Sequence, residues 1–333
     1  MLLREVTERM KEPLVRIENL KKYFPLSKLV FLKKDVVYLK AVDGINLTIQ
    51  RGGILGLVGE SGCGKTTTGR LLLGLEKPTS GEVFYRGLNL SKLKKEELRT
   101  LRKEMQMIFQ NPFSSLNPRM KIGMIVETPM INFRMFSAKD RKDKVRELLE
   151  VVGLDGKWTE RFPHEFSGGQ RQRIVIARAL ASEPKLMVAD EPISALDVSI
   201  QAQIINLLKD LQEKFDLTYL FITHDLRIVN FVSDRVAVMY VGKIVESADT
   251  KTLFSSPLHP YTQRLLSAVP NPDPRIETYR ETILLTGEVP SPIHIPSGCR
   301  FRTRCDRVKD VCGEVEPEFN DIGNNHRVAC HFV

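Results

Sequence analysis

Eight consecutive residues carry the sharpest chemistry in the chain. Gly59-Glu60-Ser61-Gly62-Cys63-Gly64-Lys65-Thr66 satisfies the pattern G-x-x-x-x-G-K-[ST]. Its glycines let backbone N–H groups turn inward around a β-phosphate, Lys65 reaches the β- and γ-phosphates, and the Thr66 hydroxyl can ligate Mg²⁺. Phosphate chemistry needs no thiol here, so Cys63 reads as a small filler. A second pair, Asp190 and Glu191, closes the apolar run LMVAD. Asp190 would hold Mg²⁺ through its water shell, and Glu191 would polarise an attacking water as general base. A third group lies at the far end of the sequence, where Cys299, Cys305, Cys312 and Cys330 have five, six and seventeen residues between successive members. Neither short gap is the C-x₂-C of most zinc knuckles, and four thiolates suit either Zn²⁺ or an iron–sulfur cluster.

The surrounding elements are the ones such residues require. The apolar run ILGLV (54–58) predicts a buried strand into the glycine loop, and TTTGRLLLGL (66–75) a helix out of it. LMVAD (186–190) and YLFIT (219–223) are further buried strands, and IQAQIINLLKDLQEKF (200–215) is helical. Short apolar strands interleaved with helices predict an α/β layer fold with a mostly parallel sheet. LVRIENLKKYF (14–24) and YLKAVDGINLTIQRG (38–52) read as strands of an antiparallel edge or subsheet. In 137–153, Val145, Leu148, Leu149 and Val152 share one helical face, with Ser137 placed to cap its start and Gly153 its end. The charged run KKEELRTLRKE is a solvated helix surface rather than a nucleic-acid contact.

Nine of the eighteen prolines lie from Pro257 onward, which marks a change of domain. Breaks at PNPDP and PSPIHIP predict a loop-rich appendage whose core is too small to hold itself without help. The whole chain, 333 residues with 42% hydrophobic side chains, has the material for a real core, which excludes disorder as the dominant state. A net charge of +9 fits an anionic ligand, nucleic acid or a bilayer surface without choosing among them. No run reaches the 18 or so apolar residues of a membrane span, and MLLREVTERMKEP carries charges where a signal peptide has its apolar run, so a cytoplasmic chain is expected.

Phe166-Ser167-Gly168-Gly169-Gln170, followed by Arg171-Gln172-Arg173 and IVIARALASEP, resembles the signature of ABC transporter ATP-binding subunits, with Phe where Leu is commonest. Serine and glycines at a helix N-terminus form an anion-receiving surface, here a second one distant in sequence from the glycine loop. The resemblance narrows to the peptide and nickel importer branch. LHPYTQRLLSAVPNPDP and GEVPSPIHIPSGCRFRTRC look like oligopeptide or dipeptide importer subunits, more like the member lettered F than its D partner.

The resemblance implies a P-loop ATPase domain over 14–256 with an antiparallel β-subdomain and a helical subdomain at about 112–182, then a cysteine-containing extension over 257–333. It implies ATP-binding roles for Tyr23, stacking on adenine with Phe24 as rival, and for residues 59 to 67, including Thr67. Gln110 would sense the γ-phosphate and join Thr66 and Asp190 around Mg²⁺, while His224 would contact the γ-phosphate beside Glu191. The signature would serve the ATP of a facing chain, and Ser194, Ala195, Leu196 and Asp197 would form the loop crossing that interface. A [4Fe–4S] cluster on the four cysteines is implied, with Zn²⁺ as the alternative. The expected partners are a related but distinct ATPase chain, two membrane-spanning permeases and, indirectly, an external binding protein. NPFSSLNPRMKIGMIVETPM, after Gln110, is the expected permease contact. The function implied is ATP-driven import of oligopeptides or dipeptides by a peripheral subunit on the cytoplasmic face of the membrane; nickel or oligosaccharide cargo is the alternative. A soluble ABC ATPase acting on nucleic acid or translation is disfavoured, since the chain has one phosphate loop and no heptad run.

Overall fold

The computed structural model describes residues 13–26, 36–268 and 287–333. The N-terminal stretch read for a signal peptide and the PNPDP break lie outside the described residues. The chain divides into two compact units, one of residues 13–49, 54–91 and 222–333, the other containing residues 50–53 and 92–221.

In the first unit, β1 (Val15–Pro25) and β2 (Tyr38–Ile49) pair antiparallel, from Val15 opposite Ile49 to Pro25 opposite Tyr38. The alternation of buried and exposed side chains along both strands explains the pairing, because only one face needs a core. The register slips between Ile17 and Leu20, where Asn19 takes a left-handed backbone. Between these strands and their continuation comes β3 (Ile54–Val58), buried at all five positions as its continuous apolar run requires. β4 (Ser80–Tyr85) then joins β1 antiparallel, and β5 (Leu88–Asn89) follows it, giving the sheet order β2-β1-β4-β5. This is the antiparallel subdomain that the sequence predicts.

The second unit holds β6 (Met105–Ile108), β7 (Leu186–Asp190) and the first four residues of β8 (Thr218–Thr223), in the order β8-β7-β6, with β6 and β7 parallel. Its helices Ile122–Asn132, Ala138–Val151 and Gly168–Leu180 pack on one another and bury Ile125, Val126, Leu149 and Ile176. Ser137 caps the second of these, its Oγ accepting from the Asp140 N–H at 3.3 Å, and Gly153 leaves it at φ +75°. Both ends are where the sequence places them. Helix Val198–Phe215 buries Ile204, Ile205, Leu208 and Leu211 at helical spacing.

The first unit resumes with β9 (Arg235–Tyr240), parallel to β3, then β10 (Lys243–Asp249), antiparallel to β9. A short hairpin of β11 (Asn320–Asp321) and β12 (Arg327–Val328) extends this sheet through β10. The proline-rich tail is loop-rich, and its buried side chains pack on the strands of this unit. Tyr261 and Phe301 are fully buried with Val58, Val236, Val238 and Tyr240 in one apolar cluster. The three rings meet at 4.6, 5.3 and 5.4 Å between centroids, so aromatic packing on the strands supplies the help that the tail's own length cannot.

Candidate functional site

The phosphate loop leaves the buried strand β3 and enters helix Lys65–Leu72. Two of its glycines are dictated by geometry. Gly59 (φ +150°) and Gly64 (φ +110°) sit so tightly that a Cβ would lie 2.1 Å from the carbonyl oxygens of Met239 and Ala41 respectively. Cys63 is 3% exposed and burial pushes its thiol pKa up, in keeping with a filler. The Lys65 side chain folds inward, its Nζ donating to the carbonyls of Gly59 at 2.7 Å and Glu60 at 3.0 Å. The loop is thereby curled around the ammonium that is expected to meet phosphate. Thr66 and Thr67 open the helix and remain partly exposed.

Glu60 is held from outside the loop. Its N–H donates to the Tyr261 hydroxyl at 3.0 Å, and its carboxylate accepts both arms of the Arg304 guanidinium at 2.7 and 3.1 Å. Tyr23 is tied at its far end, the hydroxyl donating to Asp43, while Lys40 Nζ stands 5.5 Å from the centre of its ring. Asp43 also accepts from Arg300. Burial works against the Asp43 carboxylate, but the hydrogen bonds from Tyr23 and Arg300 outweigh it and hold the pKa below the usual range. The rival Phe24 lies under Lys22 at 4.8 Å. His224 comes directly after β8, in the stretch from residue 222 that belongs to this first unit, and Asp225 after it caps helix Leu226–Val232.

In the other unit β7 delivers Asp190, 3% exposed, and then Glu191, whose φ of +45° is a left-handed conformation that costs a side-chain-bearing residue about 1–2 kcal/mol. The turn is held by Ser194, whose N–H and hydroxyl donate to the Glu191 carbonyl at 3.3 and 3.2 Å. It turns the carboxylate to Gln110, whose Nε2 donates to Glu191 Oε2 at 2.7 Å across 81 residues of sequence. The signature begins with Phe166, 4% exposed and packed on Trp158 at 5.6 Å, which explains how Phe serves at a position where Leu is commonest. Ser167 and Gln170 form a reciprocal cap on helix Gly168–Leu180, with bonds of 3.3 and 3.0 Å. A Cβ on Gly169 would lie 2.5 Å from Ile200, so the signature glycines also let helix Val198–Phe215 approach. The loop of Ser194, Ala195, Leu196 and Asp197 is fixed by Gln201, whose Nε2 donates to the Leu196 carbonyl at 2.9 Å.

Cys299, Cys305, Cys312 and Cys330 all line one small cavity of about 30 Å³ in the first unit. The donor chemistry of four thiols suits a soft metal centre, yet among the described residues no three or more His, Cys, Asp or Glu side chains are grouped as metal ligands. All four are free cysteines, and burial pushes the Cys299 thiol up to about 11. What the structure shows is the convergence of the four thiols on one cavity.

Tyr23, the phosphate loop, His224 and the cysteines therefore belong to one unit, and Gln110, Asp190, Glu191, the signature and the loop 194–197 to the other. Sequence reasoning missed Asp43, Tyr261, Arg300 and Arg304. The two arginines stand inside CRFRTRC, where the cysteines drew the attention, and their carboxylate partners lie 257 and 244 residues away.

Comparison with known proteins places these features. The ABC transporter family matches residues 42–194, and the oligopeptide/dipeptide transporter C-terminal region matches residues 245–312. The chain is 52% identical to the oligopeptide transport ATP-binding protein AppF of Bacillus subtilis (strain 168), over 96% of this chain and 97% of that one. It is 46% identical to the dipeptide transport ATP-binding protein DppF of Escherichia coli (strain K12), over 97% and 96%. Among solved structures it resembles a dimeric ATP-binding cassette in a post-hydrolysis state bound to ADP and phosphate, with 30% identity and a TM-score of 0.62 over 71% of this chain and 98% of that one.

Proposed function

The chain belongs to the ATP-binding subunits of oligopeptide and dipeptide ABC transporters, and from that premise we propose how its residues drive peptide import. It is an ATPase that hydrolyses ATP to ADP and phosphate and powers import of oligopeptides or dipeptides across the cytoplasmic membrane. The observation that carries the cargo assignment is similarity along nearly the whole chain, tail included.

Residues 59 to 67 cradle the phosphates, with Lys65 offsetting their charge and Tyr23 stacking on adenine. Thr66, Gln110 and Asp190 offer hydroxyl, amide and carboxylate oxygens, a donor set that suits a hard cation and would hold Mg²⁺. Bound Mg²⁺ supplies charge neutralisation at the β- and γ-phosphate oxygens. Glu191 is the general base, oriented by Gln110, and His224 contacts the γ-phosphate. Ser167 and the glycines after it serve the nucleotide of a facing chain, a related but distinct ATPase subunit. The loop 194–197 lies at that interface, a reading supported by Val198, an apolar residue left 81% exposed beside Asp197. ATP closes the pair, and hydrolysis opens it.

Residues 111–130 are the surface that the two permeases would cover, and within them the apolar Met124 is exposed. Among the described residues no helix is long and apolar enough to cross a membrane. The subunit's place is peripheral, on the cytoplasmic face, a reading supported by its similarity to importer ATP-binding subunits. An external binding protein delivers the peptide. The four thiols are proposed to hold a [4Fe–4S] cluster, with their shared cavity as support and Zn²⁺ as the alternative. Anaerobically purified protein should contain iron and acid-labile sulfide, both lost in Cys305→Ser; stoichiometric zinc would replace the cluster reading, and a metal-free protein would end both.

The test of function is reconstitution of the chain with its permeases, ATPase partner and binding protein in vesicles. Labelled oligopeptide or dipeptide should accumulate with ATP, whereas accumulation of nickel or an oligosaccharide instead would contradict the peptide assignment.

A further inference from the structure

We propose that residues 299–305 of the tail form a positioning element of the nucleotide site, holding the phosphate loop through Arg304 and the adenine side through Arg300. The inference rests on the reading of residues 59 to 67 as the ATP phosphate loop and goes beyond it in assigning a role to the tail.

The segment is itself fixed. Its backbone is turned by bonds from Cys299 N–H to the Cys312 carbonyl (2.8 Å), Arg302 N–H to the Cys299 carbonyl (3.1 Å) and Arg304 N–H to the Phe301 carbonyl (2.9 Å). Phe301, 1% exposed, nails its middle into the aromatic cluster. From this support two arginines four residues apart reach two different parts of the site. The Arg304 side chain is 4% exposed and grips Glu60 with both arms of its fork, a geometry that fixes orientation as well as charge. Its own carbonyl accepts from Arg264 at 2.7 Å, and Arg264 shares helix Pro260–Ser267 with the Tyr261 that takes the Glu60 N–H. Glu60 is thus held at backbone and side chain by one connected structure. Arg300 bonds the Val241 carbonyl and Asp43, and Asp43 in turn receives the Tyr23 hydroxyl.

The electrostatic consequence is direct. Glu60 brings a carboxylate into a loop built to receive phosphates, where an unpaired negative charge opposes the ligand. Arg304 cancels that charge and holds it to one side, leaving the loop N–H groups to receive the anion. An isolated cysteine cluster needs neither contact; both make sense if the tail holds the loop in a phosphate-ready form.

The test is calorimetric titration of the full chain with Mg-ATP. Arg304→Met should raise Kd about tenfold, because the pair is broken and the Glu60 charge is left uncompensated. Arg304→Lys, which keeps the charge without the fork, should fall between it and the native chain. Adding Glu60→Gln to Arg304→Met should bring Kd back to within about threefold of native, since the offending charge is gone. Unchanged affinity in Arg304→Met, with Lys65→Ala weakened as a phosphate-loop lysine should be, overturns the positioning role alone. Weakening that Glu60→Gln does not restore also overturns it, reducing Arg304 to support of the tail. Unchanged affinity in Lys65→Ala overturns instead the phosphate-loop reading beneath it.

Discussion

Ser167 caps its helix and is proposed to serve the nucleotide of a facing chain, and Ser167→Asp separates the two duties. In the isolated chain its hydroxyl is an N-cap, accepting from the Gln170 N–H at 3.3 Å while Gln170 returns a bond of 3.0 Å to the Ser167 N–H. Aspartate caps a helix about as well as serine, so the free energy of urea unfolding should change by no more than about 0.5 kcal/mol; Ser167→Ala, which loses the cap, should cost about 1 kcal/mol. In the ATP-closed pair, however, a carboxylate at this position would meet a phosphate of the facing chain. Two unit charges about 4 Å apart at an effective dielectric constant near 20 repel by about 4 kcal/mol, or roughly a thousandfold in the closure equilibrium. Light scattering with ATP and the ATPase partner present should therefore show association in Ser167→Ala and none in Ser167→Asp, and ATP turnover by the assembled transporter should follow the same order. Equal association of the two variants would refute the argument, because the cap would then be the only duty of the side chain.

Two further outcomes follow from the packing and from buried ionisation. Phe166→Ala should destabilise the chain by about 3–5 kcal/mol through the cavity left against Trp158, whereas Phe166→Leu should stay within about 1.5 kcal/mol and keep ATP turnover; thermal and urea unfolding measure both. His259 is buried with Nδ1 accepting from the Tyr261 N–H, and burial pushes its pKa from 6.5 down to about 3. The unfolded chain therefore binds the proton more readily, and the stability contributed by neutral His259 is present above pH 6.5 and lost as pH falls toward 3. In His259→Gln the slope of unfolding free energy against pH below about 6.5 should be shallower, and an unchanged slope would remove this histidine from the account.

What could be read from the sequence was local. The glycine loop, the capping residues Ser137 and Ser167, the buried strands that end at Val58 and Asp190, and the alternation along β1 all depend on neighbours a few residues apart. Spacing alone carries such information. Contacts between distant residues were not legible. Nothing within MIFQNP indicates that Gln110 turns to Glu191, and the left-handed backbone at Glu191 is imposed by a turn that its own residue type does not favour. The tail illustrates the same limit. Its prolines and cysteines suggested loops closed by a metal, yet its hold on the rest of its unit comes from Phe301, Tyr261 and two arginines, whose partners only the folded chain reveals.

The central claim, that this chain is the ATP-hydrolysing motor of a peptide importer with Glu191 as its base, is tested most directly by Glu191→Gln in the reconstituted transporter. The substitution preserves the side chain's shape, and its amide oxygen can still accept from Gln110 Nε2, so folding and ATP binding should persist. Loss of the general base should lower ATP hydrolysis by at least about a hundredfold, equivalent to about 2.7 kcal/mol of barrier, and leave ATP trapped in a closed pair when both ATPase chains carry the change. Hydrolysis at near-native rates with ATP bound would contradict the account.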